Sequence, residues 1–470
     1  MTFILIYGKI NEIKLERILA MRFEKNQILK TEILETNMLG FGVCKIDGAV
    51  IFVQNAVAGD FAEIRIIKCA KNYYIARIEN LMKASPYRAE PRCPVYKRCG
   101  GCNFQHIQYD HEKALKENFV RSCLKKEGLG EINVLPVLST GCSSGYRNKG
   151  QFPVALDETG KVVCGFFSQK SHKVCPIDSC DIQDPAFASI CAFVCEYLTE
   201  HKILPYQEED HSGLVRHIYL RRAVKTGQIM LCLVLKEDAF PEEKNFADLI
   251  SAKFPAIHSI SFNIQPKPNN VILGKESKVI YGKEKICDTL CDRDLLISAH
   301  SFYQVNHDAA ELLYYKAFQM AEISQFDCIV DLYCGIGSIG LATKTDKPII
   351  GVEIVPEAVE DAKENACLNG VENATYICGD AKDAFTLIRE LNFKKPLYIV
   401  DPPRKGLDPN LISDMAENGV KNILYISCSP ETFARDLKLF SDFGYRFADI
   451  QPVDLFPRSG HVECIGYLEK

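Results

Sequence analysis

The chain has 470 residues, of which 47% are hydrophobic and 25% charged, and its formal net charge is −5. These values exclude a disordered or fibrous chain and leave room for two or three folded domains. No hydrophobic run is long enough to span a bilayer, and residues 3–7 are too few for the core of a signal peptide. Twenty-one cysteines without a secretory signal indicate a reducing compartment, so we expect a cytoplasmic protein.

Short β-rich segments fill the first part of the chain, at residues 27–35, 42–53, 61–68 and 73–78, with glycines between them as turn signals. This spacing predicts a small five-stranded barrel of the OB type at residues 22–83. The segment resembles the TRAM domain, an RNA-binding module.

The charge of this region differs from that of the whole chain. The net charge of −5 disfavours binding to phosphate, yet residues 22–110 carry thirteen Lys and Arg against nine Asp and Glu. The alternative to an RNA-binding face is a solvated surface on a structural barrel. The side chains that could contact RNA backbone and bases are Lys68, Lys71, Tyr73, Tyr74 and Arg77.

A cysteine motif follows the barrel. Cys93, Cys99 and Cys102 have the spacing C-x5-C-x2-C, and Cys175 or Cys180 could supply a fourth sulfur. Four thiolates can bind zinc or a 4Fe–4S cluster, and spacing does not separate the two. The C-x3-C-x2-C signature of radical S-adenosylmethionine enzymes is absent, so a structural or RNA-positioning role is expected.

Residues 84–300 are predicted to form a β-rich central domain. Residues 145–152 and 213–222 alternate like half-buried strands, and residues 231–235 read as a fully buried strand. A helix is expected at residues 111–125, and segment 111–143 could pack with the C-terminal domain instead. Arg147 and Lys149 are either RNA contacts or solvated charges.

Residues 301–470 show the βαβαβ pattern of an open parallel α/β sheet. Strands are predicted at residues 328–333, 349–353 and 374–378, with a glycine-rich turn at 334–340 and a helix at 356–368. Such sheets bind ligands at the carboxyl ends of their strands. The turn lacks the third glycine of the dinucleotide fingerprint, so S-adenosylmethionine is favoured over a nicotinamide.

Three side chains of this domain suggest covalent catalysis. Cys428 follows the apolar strand 422–426 and is held by a turn containing Pro430. Asp401 follows another short strand, and Glu463 belongs to a third strand-like segment. A thiol beside an acidic turn and a candidate base fits a cysteine nucleophile, whereas most free cysteines merely pack.

Five motifs in order resemble the RNA uridine-C5 methyltransferase family, which makes 5-methyluridine in 23S ribosomal RNA and in the tRNA T-loop. They lie at residues 302–306, 331–337, 401–404, 427–432 and 461–463. The resemblance implies that Cys428 is the nucleophile and Glu463 the proton acceptor. It also implies S-adenosylmethionine as methyl donor. The expected donor contacts are Gln304, Tyr333, Glu353, Asp401 and Asp380, with Ser338 standing where many members carry Asn or Thr.

The resemblance also bears on the cysteines. Members of the ribosomal RNA type carry C-P-x4-C-G-G-C with a distant fourth cysteine, which implies a 4Fe–4S cluster on Cys93, Cys99, Cys102 and Cys180. Cys175 is then a bystander. Family-like sequence begins at Arg22, so we expect Met21, rather than Met1, to be the initiator.

The expected protein is a monomeric, cytoplasmic methyltransferase that acts on carbon-5 of a uridine in 23S ribosomal RNA, with no DNA or membrane partner. One alternative is a tRNA T-loop enzyme, which the resemblance disfavours because the tRNA enzymes of this family generally lack both the cluster cysteines and the N-terminal barrel. Another is a DNA or protein N-methyltransferase that uses its D-P-P turn. A non-enzyme alternative is an RNA-binding protein with an inactive methyltransferase fold.

Overall fold

A computed structural model describes residues 22–169 and 171–470. The expectation about Met1 and Met21 lies outside these residues. The chain divides into two compact units. Among the described residues, the first unit comprises 22–92, 102–115 and 458–460, and the second comprises the rest.

The first unit is built on a six-stranded sheet in the order β1-β5-β6-β4-β3-β2. Its strands are β1 (Ile28–Glu32), β2 (Glu35–Thr36), β3 (Phe41–Ile46), β4 (Ala49–Gln54), β5 (Phe61–Cys69) and β6 (Tyr74–Lys83). Alternate residues of β5 are buried because a strand sends successive side chains to opposite faces. The five long strands agree with the predicted barrel, and the two-residue strand β2 is additional.

Tyr74 corrects one expectation about this surface. Its ring packs edge-on against Phe23 at 5.4 Å, and only 7% of the residue is exposed. Tyr74 is therefore a core residue that cannot stack on a base. The neighbouring Tyr73, which directly precedes β6, is 38% exposed and packs edge-on against Phe52 at 5.5 Å.

The second unit contains the seven-stranded sheet of the central region, ordered β13-β12-β11-β10-β7-β8-β9. The elements in chain order are α1 (Tyr109–Lys126), whose first turns belong to the first unit, β7 (Lys149–Leu156), β8 (Val162–Phe167), β9 (Val174–Pro176), α2 (Ala186–Glu200), β10 (Val215–Arg222), β11 (Ile229–Leu235), α3 (Glu243–Lys253), β12 (Ile257–Ile264) and β13 (Glu276–Gly282). Every residue of β11 is buried, which confirms the prediction for residues 231–235.

A hairpin, β14 (Ile286–Leu290) with β15 (Arg293–Ile297), leads into the eight-stranded sheet of the C-terminal region. The remaining elements are α4 (His307–Ala321), β16 (Cys328–Asp331), α5 (Ser338–Ala342), β17 (Ile349–Glu353), α6 (Pro356–Leu368), β18 (Ala374–Cys378), α7 (Ala381–Glu390), β19 (Pro396–Val400), α8 (Pro409–Glu417), β20 (Asn422–Ser427), α9 (Pro430–Asp442), β21 (Arg446–Phe447), β22 (Gln451–Val453) and β23 (Glu463–Glu469).

Five strands of this sheet are parallel, in the order β18-β17-β16-β19-β20, and β23 pairs antiparallel with β20. Helices cover the parallel strands, and the later part of α1 contributes Val120, Cys123 and Leu124 to the same hydrophobic core. This is the Rossmann-like α/β fold expected for residues 301–470. No helix among the described residues is both long and apolar enough to cross a membrane.

Candidate active site

The carboxyl ends of the parallel strands carry the polar side chains. Glu353 is the last residue of β17, Asp401 directly follows β19, and Cys428 directly follows β20. Glu463 begins β23, and because β23 is antiparallel its start lies beside the end of β20, with Cys464 paired to Ser427. The topology thus brings the predicted thiol and the predicted base to one edge of the sheet.

A cavity of about 650 Å³ opens at this edge. Seven of the eight residues predicted for catalysis and donor binding line it: Gln304, Tyr333, Glu353, Asp380, Asp401, Cys428 and Glu463. Ser338 does not line the cavity. It begins α5, and it and Gln304 hydrogen-bond the buried hydroxyl of Tyr314.

The glycine-rich turn after β16 forms part of the cavity wall. Gly335 and Gly337 have φ values of 53° and 82°, which residues other than glycine rarely adopt. A Cβ at Gly337 would also lie 2.8 Å from the hydroxyl of Tyr376. Glycine is therefore required for the backbone to turn this closely into α5.

The thiol and the carboxyl groups of the site are shifted toward their neutral forms. Burial, then the charges of Glu463 and Asp401, raises the pKa of Cys428 to about 11. Burial, then Asp401, raises the pKa of Glu463 to about 8. Burial also raises the pKa of Asp401 to about 7, and Arg404 partly offsets the shifts of Cys428 and Glu463. Carboxyl groups whose pKa is raised to near neutral pH in a cavity, as for Asp401 and Glu463, are typical of acid–base chemistry.

Cys428 lies at a strand-to-helix junction, which corrects the expectation of a turn around Pro430. Ser429 is the N-cap of α9 and Pro430 is its first residue, a position where the missing N–H costs no hydrogen bond. The N–H of Ser429 donates to the Ser427 hydroxyl at 3.2 Å. The sequence S-C-S-P thus fixes the thiol at the mouth of the cavity.

Two contributors were not foreseen. Asn148 is buried, and its side chain donates to the carbonyl of Gln304 at 3.0 Å, while its N–H donates to the carbonyl of Val305 at 2.9 Å. It holds the loop that carries Gln304. Lys382 also lines the cavity. Its position two residues after Asp380 is the sequence feature that could have predicted this.

Three predicted cluster ligands, Cys93, Cys99 and Cys180, belong to the second unit, whereas Cys102 belongs to the first. Burial raises the pKa of Cys99, and the charges of Cys180, Cys175 and Cys93 add to the shift. Those thiols are therefore close enough to interact. Because both Cys175 and Cys180 lie near Cys99, this proximity does not show which of them is the fourth ligand.

The surroundings of these thiols fit thiolate ligands. The N–H of Gly101 donates to Cys99 Sγ at 3.4 Å, and the N–H groups of Ile182 and Gln183 hydrogen-bond Cys180. In the first unit, Cys102 Sγ accepts from the side chain of Gln105 at 3.6 Å. Hydrogen bonds of this kind stabilise cluster sulfurs in iron–sulfur proteins.

The parallel sheet, the glycine turn and the acidic strand ends define an S-adenosylmethionine-dependent methyltransferase. Residues 108–470 match the family described as tRNA (Uracil-5-)-methyltransferase, and residues 22–78 match the TRAM domain. The chain therefore belongs to this family of S-adenosylmethionine-dependent RNA uracil-C5 methyltransferases.

Individual relatives agree with this assignment. A Bacillus cereus protein described as an RNA methyltransferase is 40% identical over 94% of this chain and 96% of its own length. A Streptococcus agalactiae protein with the same description is 39% identical over 95% and 99%. Among solved structures, the tRNA (uracil-54, C5)-methyltransferase of Pyrococcus abyssi in complex with S-adenosyl-L-homocysteine is 28% identical. It superposes with a TM-score of 0.75 over 93% of this chain and 99% of that one.

Proposed function

We propose that the protein transfers a methyl group from S-adenosylmethionine to carbon-5 of one or more uridines in 23S ribosomal RNA, through a covalent Cys428 adduct. The observation that carries this proposal is the corner of the cavity where Cys428, Asp401 and Glu463 meet. Carbon-5 of uracil is a weak nucleophile, and a thiolate bonded to carbon-6 makes the ring an enolate that can attack the sulfonium methyl group.

The end of the reaction requires a base. After methyl transfer, carbon-5 carries both the new methyl group and a proton, and that proton must leave before the carbon-6–sulfur bond can break. Glu463 is assigned this role because its carboxylate is buried beside Cys428 and its raised pKa makes it a stronger base than an exposed carboxylate. Asp401 is an acidic neighbour of both groups, and Arg404 supplies the opposing charge.

The methyl donor is assigned to the other lining residues. Glu353, which lines the cavity, is proposed to bind the ribose hydroxyls, since an acid at the end of the second strand has that role in related sheets. Gln304, Tyr333, Asp380 and Asp401 complete the proposed contacts. Ser338 is proposed to act only through Tyr314, because it does not line the cavity.

A 4Fe–4S cluster on Cys93, Cys99, Cys102 and Cys180 forms part of the proposal. It is supported by the four thiol donors and by the N–H groups directed at Cys99 and Cys180. When bound, the cluster would have a structural or RNA-positioning role rather than supply electrons for the methyl transfer. The proposed domains are residues 22–83, 84–300 and 301–470. We also propose that the protein is a monomer and that it is cytoplasmic.

The RNA target has a second candidate, a uridine of the tRNA T-loop. The Pyrococcus abyssi enzyme acts on uridine 54 of tRNA and covers 93% of this chain. Possession of an N-terminal barrel therefore does not favour ribosomal RNA over tRNA. The preference for 23S ribosomal RNA rests on the cysteine arrangement, and mapping 5-methyluridine in both RNAs from a strain lacking the gene would decide between them.

The covalent mechanism is tested with two variants and labelled RNA on a denaturing gel. Cys428→Ala should neither methylate nor form an adduct. Glu463→Gln should attack and methylate, then remain bonded to the RNA, because the carbon-5 proton cannot leave. Cys367→Ala, which changes an exposed cysteine of the same domain, should turn over normally. Normal turnover by Glu463→Gln would assign the base to another residue.

A further inference from the structure

The start of α4 carries three potential metal ligands that line no part of the active-site cavity. They are His307, Asp308 and Glu311, and one ligand atom of each lies within 4.8 Å of the others. His307 and Glu311 are four residues apart and so share one face of the helix. The cluster combines an imidazole with two carboxylates.

The hydrogen bonds of His307 determine which ring nitrogen is available. The ring is 2% exposed, and Nε2 lies 2.7 Å from the carbonyl oxygen of Thr289. A carbonyl can only accept, so Nε2 carries a proton, and Nδ1 presents a lone pair wherever the ring holds no second proton. Nδ1 lies 3.1 Å from Oδ1 of Asp308, which is also an acceptor. Two acceptors at this distance require a shared cation or a second proton on the ring.

The third group adds charge to the same place. One oxygen of Glu311 accepts from the N–H of Cys291 at 2.9 Å, and the other lies 3.5 Å from Nζ of Lys225. The carboxylates of Asp308 and Glu311 outnumber the one nearby ammonium group, that of Lys225, so the cluster has a net negative charge.

We propose that His307 Nδ1 and the carboxylates of Asp308 and Glu311 bind a divalent first-row metal ion. One imidazole nitrogen and two carboxylates suit Mn²⁺ or Zn²⁺, and the carbonyl that holds Nε2 is the usual outer partner of a metal-ligating histidine. Thr289 and Cys291 belong to the β14–β15 hairpin, so the ion would join that hairpin to α4. Because α4 begins three residues after Gln304, the ion would also steady that wall of the donor cavity.

The experiment uses the RNA-free full chain, freed of loosely bound divalent ions under conditions that retain iron and sulfide, titrates it with Mn²⁺ and follows the free ion by electron paramagnetic resonance. Mn²⁺ is chosen because it binds poorly to the many thiols of the chain. One site per chain is expected, with affinity at least tenfold lower in Asp308→Asn and Glu311→Gln. Asp346→Asn, which changes an 83% exposed carboxylate paired with Lys347, should bind like the wild type. Equal binding by all four proteins, or no stoichiometric site, would overturn the proposal.

A second readout separates the metal from a proton. Pulsed electron paramagnetic resonance of the bound Mn²⁺ should show magnetic coupling to an imidazole nitrogen, and His307→Gln should remove that coupling. If the variant does not fold, nitrogen NMR of the wild type with Zn²⁺ gives the same information. A ring with Nδ1 unprotonated supports metal binding, whereas protons on both nitrogens would mean that an imidazolium–Asp308 ion pair occupies the cluster and that the proposal is wrong.

Discussion

The N–H of Gly335 donates to Oε2 of Glu353 at 3.1 Å, across the 18 residues that separate the glycine turn from the end of the second strand. The other carboxylate oxygen accepts from the N–H of Val355 at 2.9 Å. The carboxylate is thus fixed before any ligand arrives. A fixed acceptor loses little freedom on binding, which favours recognition of the donor's ribose.

Glu353→Ala should therefore weaken binding of S-adenosylmethionine. Loss of a hydrogen bond to a charged group and of the support for Gly335 should raise the dissociation constant by about tenfold to a hundredfold. Isothermal titration with S-adenosyl-L-homocysteine measures this without turnover. Glu357→Ala, at an exposed site in the first turn of α6, should bind normally. Equal loss in both variants would point to a general effect on the sheet edge.

The methylation rate should rise with pH between about 7 and 9. Glu463 has a pKa near 8 and Cys428 a pKa near 11, so raising the pH increases the reactive, ionised form of both. The rate at which methylated RNA is released from the enzyme, followed with labelled donor, gives the profile, because the Glu463 step comes after methyl transfer. Arg404→Gln should shift it to higher pH, because Arg404 lowers both pKa values. A profile that is flat over this range would contradict the assigned roles.

Glu463→Gln should stabilise the fold at alkaline pH. A carboxyl group with a folded pKa near 8, against an ordinary value of 4.5, binds its proton more tightly in the folded state. Its contribution to stability is present below pH 4.5 and is lost as the pH rises toward 8. Thermal unfolding at pH 9 should show the variant a few degrees above the wild type, with a smaller difference at pH 5. The opposite order would mean that Glu463 is ionised and well paired in the fold.

Anaerobically purified protein should be brown and contain iron and sulfide. Cys180→Ser should lose the iron, while Cys175→Ser should retain it, since Cys175 is proposed only to pack. Cys142→Ser, an exposed cysteine, serves as the control for mutation itself. Stoichiometric zinc without iron would replace the cluster by a zinc site, and iron loss from Cys175→Ser alone would exchange the two ligands.

The barrel should contribute phosphate contacts. Replacing Lys68, Lys71 and Arg77 together by Gln should weaken RNA binding and flatten its salt dependence by about two units of log–log slope. Lys30→Gln is the control for loss of a positive charge, because Lys30 lies on the same barrel, 3.3 Å from Glu63, and is not among the proposed RNA contacts. Affinity for S-adenosylmethionine should not change. An unaltered salt slope would show that this face is a solvated surface.

Short sequence patterns correctly predicted those helices and strands whose ends depend on nearby residues. The helix Pro356–Leu368 and the strand Ala374–Cys378 have the expected bounds, because Pro356 can begin a helix and Gly370, at a φ of 62°, can follow the end of one. Tyr73 and Tyr74 could not be told apart, since the face that each presents depends on which neighbouring strands pair.

In the candidate site, too, some features could be predicted from short motifs and others could not. The end of each parallel strand was visible in the sequence, so the lining residues could be proposed one by one. The closeness of Glu463 to Cys428 depends on the antiparallel pairing of β23 with β20, which no short motif specifies. The burial of Asn148 beneath the Gln304 loop depends likewise on contacts between residues far apart in the chain.

That contact has a thermodynamic consequence. Asn148 lies between Arg147 and Lys149, both candidate RNA contacts, and it also holds the backbone that carries Gln304. If RNA restrains this segment, it restrains a wall of the donor cavity as well. By reciprocity, whatever factor RNA adds to the affinity for S-adenosylmethionine, the donor must add to the affinity for RNA. Product release would then be cooperative, because loss of either molecule loosens the site of the other.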